Sequence, residues 1–177
     1  HNPDHRSWSV SDRKGYLRIK TSRIDTSILF AKNTLTQRTI GPVSSGITCL
    51  DISQMKDGDR AGLMLLQRRF GWIGVKADDG KKIITMMNSQ SGAFEGESIP
   101  IGQNLIYFKA KCVFTGRADQ GYFSYSFDGK MWKEIGKPLQ MAYTLPHFMG
   151  YRFGLFNYAT QQVGGYVDFD FFKIQLE

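Results

Sequence analysis

The sequence predicts an all-β fold, an antiparallel two-sheet β-sandwich, and three observations carry that prediction. Short stretches alternate apolar and polar residues with a period of two. Glycines and Asp-Gly pairs punctuate them. Helical periodicity never persists beyond about two turns. No repeat recurs at the spacing of a propeller blade or a solenoid turn.

Taken in order, residues 16–20 form the first alternating run, with Leu17 and Ile19 inward. Residues 47–52 are β-rich, and the turn K-D-G-D follows at 56–59. Residues 61–66 are apolar on both parities, which predicts a central strand covered on both faces. Residues 67–71 turn the chain into 72–76, where Ile73 and Val75 face in while Trp72, Gly74 and Lys76 face away. Asp79-Gly80 signals a tight hairpin before 83–87. A long strand over 105–114 sets Phe108, Ala110, Cys112 and Phe114 against Tyr107, Lys109 and Lys111. Residues 122–127 alternate aromatic and serine up to Asp128-Gly129, with Trp132 and Ile135 on the return strand, and 138–146 reads as a loop. In 150–156, Tyr151, Phe153 and Leu155 share one parity while Arg152, Gly154 and Phe156 share the other. The last run places Val167, Phe169 and Phe171 on one parity and then Phe172, Ile174 and Leu176 on the opposite one. A bulge produces such a switch when a long strand bends.

At 177 residues the chain reads as one domain, large enough to bury a core without staples. Its net charge is +7, but the basic residues occur singly or in pairs rather than in a stripe. That pattern argues against a nucleic-acid partner. No apolar run is long enough to span a bilayer as a helix. Cys49 and Cys112 are expected as two buried free thiols, although sequence alone leaves a disulfide between them open.

Catalytic signatures are missing. His1 and His5 sit in the N-terminal tail and His147 stands alone, so the close ligand spacing of a zinc site is lacking. No G-x-S-x-G elbow occurs. Glycoside cleavage needs two carboxylates across a cleft, and the acids here cluster in turns apart from Asp168 and Asp170 on the last strand. These two are read either as solvated strand carboxylates or as ligands of a structural Ca²⁺, with Asp170 the better candidate. No other cofactor is expected.

The positive signal is a polar and aromatic set suited to sugar, whose hydroxyls take bidentate side chains and whose C–H faces stack on rings. Residues 31–38 bring Asn33, Gln37 and Arg38 close together, and Gln67, Arg69, Phe70, Trp72 and Gln90 add amides, a guanidinium and two rings. On the strand of 150–156, Arg152 offers donors, Gly154 room and Phe156 a stacking surface. For each residue singly, core packing or loop capping is the competing reading.

The segments H-N-P-D, Y-L-R-I-K-T, A-K-N-T-L-T-Q-R-T-I-G-P, M-K-D-G-D-R-A-G-L, Y-S-F-D-G-K-M-W, G-Y-R-F-G-L-F and G-G-Y-V-D-F-D-F-F run in order through the chain. Together they resemble the C-terminal β-sandwich of family-43 glycoside hydrolases, the β-xylosidases and α-L-arabinofuranosidases acting on xylan. The resemblance implies a concanavalin A-like jelly roll, also classed as carbohydrate-binding module family 91. It implies that 1–177 is a single C-terminal domain of a larger chain, whose catalytic carboxylates lie on a preceding five-bladed propeller. It further implies a secreted or periplasmic parent, with any signal peptide outside this chain, which opens at His1. In some relatives the sandwich lends an aromatic side chain to the propeller's active-site rim. Phe148, Tyr151 and Phe153 occupy the matching segment, but Tyr151-Arg152 stands where those relatives carry small residues.

Two functions are therefore expected. One is binding of xylan or arabinoxylan oligosaccharide on the face of Arg38, Gln67, Trp72 and Arg152. The other is packing on the catalytic propeller of the same chain, without a ligand of its own. The binding reading predicts that Trp72→Ala or Arg152→Ala abolishes retention on xylan and leaves the domain folded.

Overall fold

A computed structural model describes residues 4–90, 93–142 and 150–177, with 93–97 described by backbone alone. Two antiparallel sheets face each other. The larger, of eight strands, runs β1 (Trp8–Ser9), β2 (Leu17–Lys20), β14 (Tyr166–Leu176), β4 (Val43–Asp51), β9 (Leu105–Val113), β10 (Gln120–Ser126) and β11 (Lys133–Glu134), with β12 (Leu139–Gln140) also on β10. The smaller, of six strands, runs β3 (Leu35–Arg38), β13 (Arg152–Ala159), β5 (Asp59–Leu66), β6 (Gly71–Asp78), β7 (Lys81–Asn88) and β8 (Ala93–Pro100).

The inward parity of each long strand fills the space between the sheets. Ile19, Leu50, Phe108, Cys112, Phe123 and Phe169 of the larger sheet are all buried there, against Leu63, Leu65, Ile73, Val75 and Phe153 of the smaller sheet. The Asp79-Gly80 hairpin joins β6 to β7 with φ of 50° and 70°, the paired left-handed conformation of its turn type. The strand over 61–66 is covered on both sides as its composition predicts. Its outer face carries Met64 into a second buried cluster with Ile28, Ala31, Phe70, Trp72, Phe156 and Tyr158. Ile28 and Ala31 reach that cluster from the strap that connects β2 to β3 over the outer face of the smaller sheet.

The register of β14 on β4 shifts between Phe169 and Phe171, so the bulged residue is Asp170. Phe169 consequently points into the core, while Phe171 lies against Tyr107 with ring centroids 6.5 Å apart. The strand then turns Phe172 and Ile174 back toward the core. Both cysteines are free and buried. Cys112 lies between the sheets, and burial pushes its thiol up to about 12. Cys49 is paired in register with Tyr107, and burial pushes its thiol to about 11.

Candidate functional site

The structure brings the three rings expected to stack on sugar together, but underneath the surface. Phe70, Trp72 and Phe156 share the second cluster, and Trp72 and Phe156 meet edge to face at 5.5 Å, both fully buried. Their burial follows from the strap, whose Ile28 and Ala31 complete the cluster. The room expected at Gly154 is taken as well: a Cβ there would lie 2.8 Å from the Met64 side chain. The outward strand parity was thus read correctly, but the face it defines is a covered layer and not an open platform.

The polar members of the set scatter. Arg38 and Arg152 are cross-strand partners on β3 and β13, and Arg152 Nη1 donates to Thr36 Oγ1 at 3.0 Å. Gln37, Arg38, Arg69 and Gln90 are exposed, whereas Gln67 is buried. Gln90 accepts from the Gln140 backbone N–H at 3.2 Å, toward β12 and away from the arginine pair. Tyr151 and Phe153 face the main core, so neither ring is free for an active-site rim. The Tyr151 hydroxyl accepts from the Ala142 N–H at 3.2 Å. Phe148 lies outside the described residues.

Asp168, expected as a calcium ligand, is committed to two arginines. Arg18 grips it in bidentate fashion, Nε to Oδ1 at 2.7 Å and Nη2 to Oδ2 at 2.9 Å, and Arg13 Nη1 donates to Oδ2 at 3.2 Å. A cation would have to displace guanidinium groups from a buried carboxylate. Asp170 is exposed on the bulge, so the two acids do not converge. Among the described residues no cluster of three His, Cys, Asp or Glu side chains is placed to hold a metal.

Among the described residues a concave feature lies elsewhere, at the edge of the sandwich where β2 and β13 face each other from opposite sheets. A cleft of about 390 Å³ is lined there by Asp4 and Arg6, by Arg23 and Asp25, and by Asn33 and Asn157, among others. Its acids are paired with bases. Asp4 is hydrogen-bonded by the side chain and backbone of Arg6, which lowers its carboxyl to about 2, and Asp25 forms an ion pair with Arg23. Asn33 Nδ2 donates to the Lys20 carbonyl at 3.2 Å, and Asn157 Nδ2 reaches across the sandwich to the Ile19 carbonyl at 2.8 Å. Each amide oxygen is sealed from bulk water and finds no donor.

Of this cleft the sequence-derived set contained only Asn33. Asn157 was legible in principle, because it stands on the inward parity of Phe153 and Leu155, where an amide is out of place without a task. Arg23 and Asp25 gave no comparable signal.

Comparison with known proteins gives a consistent answer. The model of the beta-xylosidase C-terminal concanavalin A-like domain matches residues 1–175. A beta-xylosidase of Formosa agariphila is 30% identical over 194 aligned residues, covering 97% of this chain and 31% of its own length. Among solved structures, a bifunctional GH43-CE protein of Bacteroides eggerthii superposes with a TM-score of 0.95 at 58% identity, covering 99% of this chain and 23% of that one. A GH43 glycoside hydrolase, engineered at its active site to display both endo-xylanase and exo-arabinofuranosidase activity, superposes at 0.91 with 30% identity, covering 100% and 37%. The chain spans 31% and 25% of the length of the two curated relatives it matches.

Proposed function

Because the chain belongs to the family of beta-xylosidase C-terminal concanavalin A-like domains, we propose that it is an accessory domain that docks on the catalytic portion of a family-43 glycoside hydrolase. The observation that carries this reading is the two-sidedness of the strap between β2 and β3. Ile28 and Ala31 are buried beneath it, while Ile24, Leu29 and Phe30 stand 54%, 55% and 61% exposed on it. Three large apolar side chains in one short, anchored segment form a surface that favours another protein over water. The strap is held in place by the Asp25 N–H on the Ala159 carbonyl at 2.8 Å, so the patch is presented on a fixed backbone.

The occupant is the catalytic portion, because the family's longer chains carry most of their length outside the segment matched here. Xylan is then the substrate class of the assembled enzyme, and bond cleavage is assigned to that other portion. The buried state of Trp72, Phe70 and Phe156 favours docking over sugar gripping on the face first expected to bind it.

The test is association in trans. This chain, produced separately, should co-purify with the GH43 portion of the Bacteroides eggerthii protein from which the matching sandwich has been removed. A Leu29→Asp, Phe30→Asp double variant should fold normally and lose at least about tenfold in affinity, as expected when the apolar centre of an interface receives charge. Failure of the unaltered chain to associate would overturn the reading.

A further inference from the structure

We propose that the outer face of the larger sheet is a docking surface for an acidic segment of a partner protein, whose carboxylates Lys109 and Lys173 receive. The strap lies over the other sheet, so this surface is separate from the one assigned to the catalytic portion, and the inference does not depend on that reading. Lys173, Ile47 and Lys109 form one cross-strand row on β14, β4 and β9. Their outward direction follows from alternation, since Phe172, Ile174, Phe108 and Ala110 pack toward the core. Two strand spacings set the lysine backbones about 10 Å apart, with apolar Ile47 between them. The fold thus assembles a basic cluster from residues that stand far apart along the chain.

The neighbouring row shows how this face receives a carboxylate. Glu177 accepts from Ser45 Oγ at 2.7 Å and pairs with Lys111 Nζ, and Ser45 and Lys111 are cross-strand partners. Lys109 and Lys173 meet no carboxylate among the described residues. Lys109 Nζ lies 4.2 Å from the centroid of the Trp132 ring, and Lys173 Nζ lies 5.7 Å from that of Phe171. Burial lowers the Lys109 ammonium, and Lys111 and Lys173 lower it further against the opposing effect of Glu177. A second carboxylate here relieves that repulsion. The partner class follows from what bounds the row. Glu134 is opposite Ser124, which is opposite Lys109, and exposed Asp170 stands beyond Phe171. These acids repel a phosphate backbone or an anionic membrane that extends past the lysines. A short extended segment with acids at alternate positions, about 7 Å apart on one side, meets the row alone. The Trp132 and Phe171 rings beside the ammonium groups supply apolar contact to the same segment.

The test is an amide chemical-shift titration of this chain at low salt with end-capped hexaglutamate. Hexaglutamine, hexathymidylate and phosphatidylserine vesicles serve as comparisons. Saturable shifts are expected at Ile47, Lys109, Lys173 and the Trp132 indole N–H, and they should fade as salt is raised to about 0.5 M, where charges are screened over a few ångströms. A Lys109→Gln, Lys173→Gln double variant should weaken binding at least about fivefold, as the loss of two ion pairs at a surface implies. Lys173→Gln alone, a change at an exposed position, should weaken it measurably and keeps the test decisive if the double variant misfolds. The proposal is overturned if hexaglutamate gives no saturable shifts, if the shifts map away from the row, or if hexaglutamine reproduces them. It is equally overturned if hexathymidylate or the vesicles bind this face as tightly, or if a folded variant binds as the unaltered chain does.

Discussion

Asp51 and Asp168 are cross-strand partners on β4 and β14, two carboxylates placed directly opposite each other. Like charges in that position repel, and Arg13 resolves the conflict by donating through one nitrogen to both, at 2.8 Å and 3.2 Å. Its guanidinium also lies over the Tyr16 ring, 3.7 Å from the centroid. Arg18 sits on the ring of Tyr166 at 4.0 Å and supplies the bidentate clamp on Asp168.

The clamp predicts an asymmetry between the two arginines. Arg18→Ala leaves a carboxylate that is 5% exposed with one weaker partner and should cost about 3 kcal/mol in chemical denaturation, as expected when one member of a buried pair is removed. Arg13→Ala should cost distinctly less, since its side chain is 37% exposed and solvent screens its ion pairs. Burial acts to raise the Asp51 carboxyl, but the hydrogen bonds from Arg13 and Ser53 leave it below its ordinary value. In Arg13→Ala it should therefore titrate at higher pH by carbon-detected NMR. Stability contributed by Asp51 is present above the unfolded value and is lost as pH falls through the folded one.

Trp72→Ala should unfold the domain more readily, by about 3 to 5 kcal/mol, because it removes the largest fully buried side chain and leaves a cavity beneath the strap. A melting curve unchanged by this substitution would return the ring to the surface and revive sugar stacking there.

Asp59 predicts a dependence on pH of the opposite sign. Its side chain is buried at the start of β5 and accepts from the Lys56 N–H at 2.8 Å. Burial raises its carboxyl from 3.8 to about 6. The folded protein then holds this proton more tightly than the unfolded chain does. Its contribution is greatest below the unfolded value, declines as pH rises from 3.8 to about 6, and is constant above that. Thermal melts from about pH 4 to about pH 8 should show this decline, and Asp59→Asn should flatten it.

Gly62 and Gly74 are opposed on β5 and β6 with their backbones in close approach. A Cβ on Gly74 would fall 2.3 Å from the Ala61 carbonyl oxygen, and one on Gly62 would fall 2.1 Å from that of Ile73. Gly74→Ala should therefore cost about 3 kcal/mol or prevent cooperative folding, in the range of severe core strain. Gly102→Ala, where a Cβ meets nothing within 4 Å, should change the melting midpoint little.

Fold and site differed in how far the sequence could be read. Alternation, Asp79-Gly80 and the parity switch around Asp170 are local signals, and each appears in the structure as the chain alone implies. The main core followed for the same reason, since inward parity is a property of each strand by itself. What parity does not report is what lies on the other side. Trp72, Gly154 and Phe156 point outward from their sheet, but whether outward means solvent depends on where the strap between β2 and β3 travels. That is fixed by tertiary packing of Ile28 and Ala31. The cleft was harder still, because Asn33 and Asn157 are far apart in sequence and meet only where two sheet edges come together.

The two thiols occupy separate environments on the larger sheet, Cys112 between the sheets and Cys49 opposite Tyr107, and both are held in the unreactive protonated form. No cross-link fastens this architecture, so reductant has no covalent fastening to cut and oxidant finds no neighbouring partner to join. The sandwich can therefore be made, stored and studied on either side of a membrane's redox divide without altering its covalent structure.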